Sequence, residues 1–467
     1  MSHFSRRDFL AASLAATGST FALDDWVFAN REETTRNPNL HIAPFRFDVS
    51  PPKGHSLCGG WIKPVVGYDD SLESIGYVLL GAGKPIVVCA VDWTGLLNDA
   101  HIAWRKALAE AAGTTIDRVA VQCVHQHNAP FACLNAEQIV LEQGDLPHIV
   151  ELDFFNTCLD KARKAVAAAI PRAEPVTHIA HSQGKILKVA SNRRIDRDKN
   201  GKILRMRGSS CKDERLRGMT EGTIDPWLKT IAFYNKDKKL VSSHYYSTHP
   251  MSYYGDGRVS SDFTGIARKQ RQQEEPGCTH IYFTGCAGNI SAGKYNDGSH
   301  EMRAILAKRI YDGMIASEKQ LKPEPIGHVT WKTHDILPPV RNTFQEEVLK
   351  KTISNKANSV VNRNRPSYML AWLQRVQKKI PITLSSLQMN DIKTLHLPAE
   401  SFIEYQLRAQ SIQPDQFIAT AAYGDGGPWY IPVAEEYPTG GYEVSVAFCD
   451  PEIDAVMTQG MKSLLDS

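Results

Sequence analysis

The feature that most constrains the fold is a pair of apolar runs on either side of a helical stretch. KPIVVCAVDW (84–93) stays apolar from Ile86 until it meets Asp92, as a strand covered on both faces would. In DRVAVQCVHQHNAP (117–130), Val119, Val121 and Cys123 alternate with Ala120, Gln122 and Val124, which suits a strand covered on at least one face. Residues 98–113 between them carry a helical pattern. A strand, a helix and a second strand in this order predict a β-α-β unit whose strands run parallel and whose carboxyl ends lie side by side. Ligands of open α/β sheets collect at such ends. Asp92 stands at one of them, and His125 and His127 leave the other. Side chains alternate along a strand, so residues i and i+2 point the same way and both imidazoles face one pocket. A metal or acyl-transfer site begins like this, although an H-x-H pair alone is also found on ordinary surfaces.

The rest of the chain extends the pattern. Strands are expected at 40–52, 175–181, 185–190, 227–235, 238–248, 279–291 and 327–338, with a hairpin across Asn390-Asp391 and a last strand near 417–423. Helices are expected at 147–170, 265–273, 299–316, 344–379 and beyond Pro451. LHLPAESFIEYQL (395–407) reads as strand, proline and helix, with Glu400 in the first helical turn. His249 closes another strand. No internal repeat, low-complexity segment or clear linker is visible. The expected fold is α/β, with mixed sheets flanked by helices, a metal site at strand carboxyl ends, and one composite domain from residue 34 to 467.

Composition narrows the function by exclusion. At 42% hydrophobic, 22% charged and a formal charge of +3, the chain is an ordinary globular protein, and its dispersed basic residues argue against a nucleic-acid partner. Nine cysteines without a C-x-x-C pair argue against a disulfide frame or a zinc knuckle. Cys89 and Cys123 read as small core residues. Ser5-Arg6-Arg7-Asp8-Phe9-Leu10 followed by an apolar, Ala-rich run is a twin-arginine signature, so residues 1–33 are expected to be a signal peptide and a short mature tail. The expectation is export to the periplasm or another extracytoplasmic space. The run falls short of the roughly 20 apolar residues of a membrane span, so no transmembrane helix is expected in the mature chain.

Several enzyme classes lose support because their motifs are missing: no H-E-x-x-H, no G-x-S-x-G, no Walker lysine loop and no dinucleotide fingerprint in context. Ser209-x-x-Lys212 matches a serine acyl-enzyme pattern but lacks its S-D-N and K-T-G companions. What the chain does carry, in order, is VHQHNAP, SNRR, STHPMSYYGDGRVSSDFTGIA, FTGCAGNIS, LPAESF and WYIPVAEEYPTGGYE. This series resembles the catalytic domain of neutral/alkaline non-lysosomal ceramidases, with H-T-H-S-G-P-G, N-R-S, an H-P/A-T-S-M segment before S-D-N-x-G-Y-A, G-D-V-S, P-G-E-F and T-S-Y-V-T-x-x-E-E-Y ending in Y-E-G. The likeness runs from about residue 41 to the end. Tyr430 and Tyr442 keep the family's separation around Glu435-Glu436-Tyr437.

The resemblance implies a zinc ion held by His125, His249, Glu400 and Tyr430, with His127, Arg193 and Tyr442 at positions that contact the substrate amide and its oxyanion. Imidazole, carboxylate and phenolate are reasonable zinc donors. Asp92 and Asp262 are the candidate carboxylates for orienting the ligand histidines. The chain departs from the family at Asn128-Ala129-Pro130-Phe131 and at Gly288-Asn289-Ile290-Ser291, both near the implied pocket. One helix is expected past the tyrosine motif, and the family's C-terminal immunoglobulin-like domain is not expected. The expected activity is therefore zinc-dependent hydrolysis of a small-molecule or lipid N-acyl compound that need not be ceramide. The alternatives are a zinc esterase, deacetylase or lyase on a polar sugar-like substrate, or a non-catalytic binding protein that kept the fold.

Overall fold

The computed structural model describes residues 30–466, so the twin-arginine segment lies outside the described residues. The described chain opens with strand Arg31–Arg36, which pairs antiparallel with His328–Ile336. The boundary expected near Glu33 therefore runs through an element of a sheet, because residues 31–36 cover a strand edge that would otherwise be bare.

Among the described residues are three five-stranded sheets, and each is wound on the same plan. In the first, strands His41–Asp48, Glu73–Leu80 and Ile86–Val91 run as an antiparallel meander. Helix Asp99–Ala112 then crosses over, and Val119–Cys123 pairs parallel with Ile86–Val91, as the β-α-β reading requires. The second repeats this with His178–Lys185, Trp227–Asn235, Lys238–Tyr246, helix Asp262–Glu274 and strand Thr279–Thr284. The third does so with His328–Ile336, Ile382–Met389, Ile392–His396, helix Ile403–Ile412 and strand Phe417–Ala421.

Each crossover helix packs against a helix that follows its unit's last strand: Leu152–Ala169, Glu301–Glu318 and Ile453–Leu465 in turn. The far edges are closed by Glu174–Pro175, Glu324–Pro325 and Arg31–Arg36. The described residues thus contain three copies of one unit, a repeat of topology that no repeat of sequence accompanies. The units share an order of elements and a hydrophobic rhythm, but hardly a residue: their third strands read IVVCAV, KKLVSSHYY and IKTLH.

Other expectations shift locally. The stretch 175–190 forms one main strand, His178–Lys185, with irregular chain after it. The long helix divides into Glu346–Ser354 and Val360–Gln377. All nine cysteines are unbonded, and Cys89 and Cys123 lie buried in strands.

The three parallel edge strands meet one another at their carboxyl ends. Cys123 N donates to Tyr423 O (2.8 Å), Ala422 N to Thr284 O (2.9 Å), and Thr284 Oγ1 to Val124 O (2.7 Å). An exposed strand edge presents unpaired backbone groups, and each of these edges is covered by its neighbours. The loops that leave the three strands, and those leaving the strands beside them, are thereby gathered at one place.

Candidate metal centre

The gathered loops carry the histidines. Val119–Cys123 ends before His125, whose backbone turns into the left-handed region at φ 76°. His125 and His127 therefore meet through an irregular turn and not through strand alternation, with ring centroids 4.8 Å apart. The turn is held by His125 N donating to Trp93 O (2.9 Å). Ala399, Tyr423 and Trp429 also adopt positive φ, and they are stitched together by Tyr423 N to Ala399 O (3.0 Å) and Glu400 N to Trp429 O (2.9 Å). Strained backbone that is tied down in this way is characteristic of sites.

Glu400 does not lie in a helical turn. It forms a short parallel bridge with Tyr430, ahead of the helix that starts at Ile403. Directly paired residues of a bridge stand beside each other, so the carboxylate and the phenol come as a unit. The loop 285–291 braces this bridge. Gly288 N donates to Ser401 O (2.9 Å), and a Cβ at Gly288 would run into the Glu400 carbonyl, so only glycine fits there. Asn289 Oδ1 accepts from Ile403 N (2.9 Å) at the start of the helix, and Asn289 O accepts from Arg193 N (2.8 Å). The departure Gly288-Asn289-Ile290-Ser291 is thus part of the scaffold that positions Glu400 and Arg193.

Both Nδ1 atoms of the paired histidines are committed to carbonyls. His125 Nδ1 donates to Thr94 O (2.6 Å), and His249 Nδ1 donates to Ala287 O (2.7 Å) and Ile290 O (3.0 Å). This tautomer turns each Nε2 lone pair inward. Glu400 Oε2 lies 3.2 Å from His125 Nε2 and 3.1 Å from His249 Nε2, and the Tyr430 hydroxyl lies 3.5 Å from His249 Nε2. His125 Nε2 is buried without a hydrogen-bond partner. Converging lone pairs repel unless a cation lies among them, and two imidazoles, a carboxylate and a phenol oxygen form a donor set suited to zinc. Burial alone would raise the Glu400 carboxyl, yet the facing imidazoles, when protonated, hold it well below its usual range by charge and hydrogen bonding. Burial holds Tyr430 well above the ordinary phenol value.

Around this group lies a cavity of about 490 Å³. His127 lines it edge-on to Tyr254 (5.5 Å), and burial together with the neighbouring imidazoles pushes its pKa well down. One of its ring nitrogens also comes within 4.8 Å of one from each of His125 and His249, so three imidazoles form a second possible ligand grouping. Arg193 reaches the Tyr430 hydroxyl (3.3 Å) and is neutralised by Glu443 (3.3 Å), which is shared with Arg194 (2.8 Å). Tyr442 stands at the mouth, 45% exposed, with its ring 5.7 Å from the Arg193 guanidinium.

Asp92 and Asp262 do not orient the histidines, because backbone carbonyls already occupy both Nδ1 positions. Asp92 accepts from Glu73 N (3.0 Å) and pairs with Arg268 (3.1 Å), tying the first sheet to the helix of the second unit. Asp262 accepts from Ser252 N (3.1 Å) and so holds a segment of the cavity wall. Sequence reasoning missed Thr94, which acts only through its carbonyl, and Tyr423, which stacks on His125 at 4.3 Å. It also missed Glu443, although that residue directly follows the singled-out Tyr442.

A second buried grouping, His244, His280 and Glu318, lies between the second sheet and helix Glu301–Glu318. Here Lys239 and Arg271, 2.9 and 2.7 Å from the Glu318 carboxylate, already supply positive charge. Burial opposes the Glu318 charge, but the imidazoles and Lys239 outweigh it and hold its pKa down to about 2, against 4.5 for a free carboxyl. Burial takes His244 down to about 3, against 6.5. Both values are depressed on folding, so the unfolded chain binds protons first and stability falls with pH. The loss runs from 6.5 towards 3 for His244 and from 4.5 towards 2 for Glu318. Glu318→Gln is expected to cost about 1–3 kcal/mol at neutral pH, because it removes the most buried of the carboxylates that Lys239 and Arg271 share with Glu274 and Glu275, and progressively less towards about pH 2. Urea unfolding across that range checks it, and a difference that does not change with pH would refute the assignment.

No protein-family model and no curated protein sequence matches the chain. Among solved structures, neutral ceramidase from Pseudomonas aeruginosa superimposes with a TM-score of 0.67 at 14% identity, over 92% of this chain and 74% of that one. A ceramidase complexed with C2 gives 0.67 at 14% identity, over 92% and 75%. At that identity the likeness speaks to architecture, and the three-unit α/β fold of this chain is a neutral-ceramidase fold.

Proposed function

We propose that the protein is a zinc-dependent hydrolase that cleaves a linear N-acyl amide. The observation that carries this reading is the convergence of His125 Nε2 and His249 Nε2 on Glu400 Oε2, at 3.2 and 3.1 Å, at the wall of a cavity, with Tyr430 beside them. Zinc in such a site supplies Lewis acidity and, by lowering the pKa of a water to about 7, a nucleophile at neutral pH.

The chain's own residues do the rest. The carbonyls of Thr94, Ala287 and Ile290 keep both Nδ1 protons in place, so the Nε2 atoms remain donors of electron pairs. His127, kept neutral by its surroundings, offers an N–H to the oxyanion that develops on the amide carbonyl. Arg193, anchored by Glu443, fixes the Tyr430 hydroxyl. Tyr442, at the mouth, is the donor of the proton that the leaving amine requires.

The second reading is an esterase or deacetylase on a polar, sugar-like substrate. It is favoured by the mixed lining of the cavity, in which Ser209, Ser210 and Ser252 occur together with the aromatic residues Trp61, Phe131 and Trp429. One panel separates the two. Purified protein is assayed on N-acyl sphingosines, simple N-acyl amines, acyl esters and N-acetyl sugars, before and after chelation and after zinc is restored. Amide hydrolysis that disappears with chelator and returns with zinc is the expected result. Turnover restricted to esters or acetyl sugars selects the second reading, and no turnover on any compound leaves a binding protein.

A further inference from the structure

We propose that the substrate carries an ionised oxyanion group and that Arg365 is the residue that reads it; this rests on the hydrolase reading. Arg365 lies on helix Val360–Gln377 and lines the same cavity as His125, His249 and Glu400. Its guanidinium is 5.8 Å from the ring centre of Trp61 and 5.6 Å from that of Trp429, and the two rings are 5.2 Å apart. Two indole faces hold the charge in place against the wall.

No carboxylate pairs with Arg365 among the described residues. Its neighbours on the helix differ: Arg363 makes a two-pronged pair with Asp145 (2.9 Å on both arms), and Arg375 pairs with Asp425 (2.5 Å). The other arginine of the cavity, Arg193, is matched by Glu443. Glu400 is engaged by two histidines. The carboxylates of the cavity are therefore spoken for, while one guanidinium, half-buried and with its Nε buried and unpartnered, is left over.

A second unpartnered group points the same way. Ser209 is 7% exposed, its Oγ has no partner, and it too lines the cavity. A planar fork of donors on an aromatic platform suits a carboxylate, sulfonate or phosphate, which it can meet with two parallel hydrogen bonds. The substrate class is an N-acyl amine whose amine or acyl part bears such a group, whereas a neutral ceramide-type amide leaves the cationic position unmatched. The reaction stays balanced: water adds its oxygen to the acyl carbon, the C–N bond breaks, and the amine nitrogen takes up a proton.

The test uses the zinc-loaded protein and its Arg365→Gln and Arg365→Lys variants. The substrates are N-hexanoylglycine, N-hexanoyltaurine and the neutral N-hexanoylethanolamine. The expected ratio of kcat/KM between anionic and neutral substrates is about tenfold or more, and Arg365→Gln is expected to lower that ratio by about tenfold, mainly through KM. Arg365→Lys restores part of it. Equal loss on glycine and taurine conjugates assigns the selectivity to charge, and loss confined to the glycine conjugate assigns it to the planar carboxylate.

An unchanged ratio in Arg365→Gln, with amides still hydrolysed, would overturn the proposal and leave the hydrolase reading standing. If no amide is turned over, calorimetric binding of N-hexanoylglycine decides. Binding that Arg365→Gln abolishes keeps the anion site and removes the hydrolase reading, and absence of binding removes both.

Discussion

Glu400→Ala is expected to take zinc from about one ion per chain to nearly none and to lower amide hydrolysis by roughly a thousandfold or more. The reason lies in how the site is shared. Glu400 Oε2 is the single atom that faces both His125 Nε2 and His249 Nε2, so its removal leaves two neutral imidazoles and a phenol to hold a dication without compensating charge. Elemental mass spectrometry on protein purified without chelator or nickel resin measures the metal, and circular dichroism checks the fold. Bound metal also stabilises the chain it binds, so the variant's melting temperature should stop responding to added zinc. Zinc retained at the parent level would show that the three imidazoles of His125, His127 and His249 are the ligand set, with Glu400 as their counter-charge.

His127→Asn is expected to separate chemistry from metal binding. Zinc content should stay near one per chain while kcat falls by about a hundred- to a thousandfold with little change in KM, as for loss of an oxyanion donor. The expectation rests on the place of the ring: it packs edge-on to Tyr254, while the Glu400 carboxylate meets His125 and His249. Loss of metal along with activity would make His127 a ligand, and undiminished kcat would remove it from the reaction altogether.

Much of this site was legible in the order of residues along the chain. The resemblance of the ordered motifs to the ceramidase family implies His125, His249, Glu400 and Tyr430 as one group, and the fold brings all four together. The routes by which they meet were not legible. Strand alternation predicts that His125 and His127 share a pocket, yet the strand ends at Cys123 and the approach is made by a left-handed turn. Glu400 reads as a helical residue because Pro398 precedes it and an amphipathic stretch follows. Its bridge partner is Tyr430, thirty positions later, and no local pattern encodes a pairing of that range. Asp92 and Asp262 are the kind of residue that orients metal-bound histidines, but Thr94, Ala287 and Ile290 do so with carbonyls that every residue possesses.

The type of the most strongly periodic elements is written in the sequence. Ile86–Val91, Asp99–Ala112 and Val119–Cys123 follow from hydrophobic period alone, because burial on one face or two imposes a rhythm on the residues. Tertiary structure alone decided that three such units repeat, since a repeat of topology needs matching apolar positions and not matching residues. It also decided that their parallel edge strands cover one another, which is what brings loops from distant parts of the chain to a single cavity. Finally, it decided which charges remain unmatched. Arg363, Arg365 and Arg375 are alike as letters on one helix, and only the packing gives two of them a carboxylate and leaves the third against two indole rings facing the site.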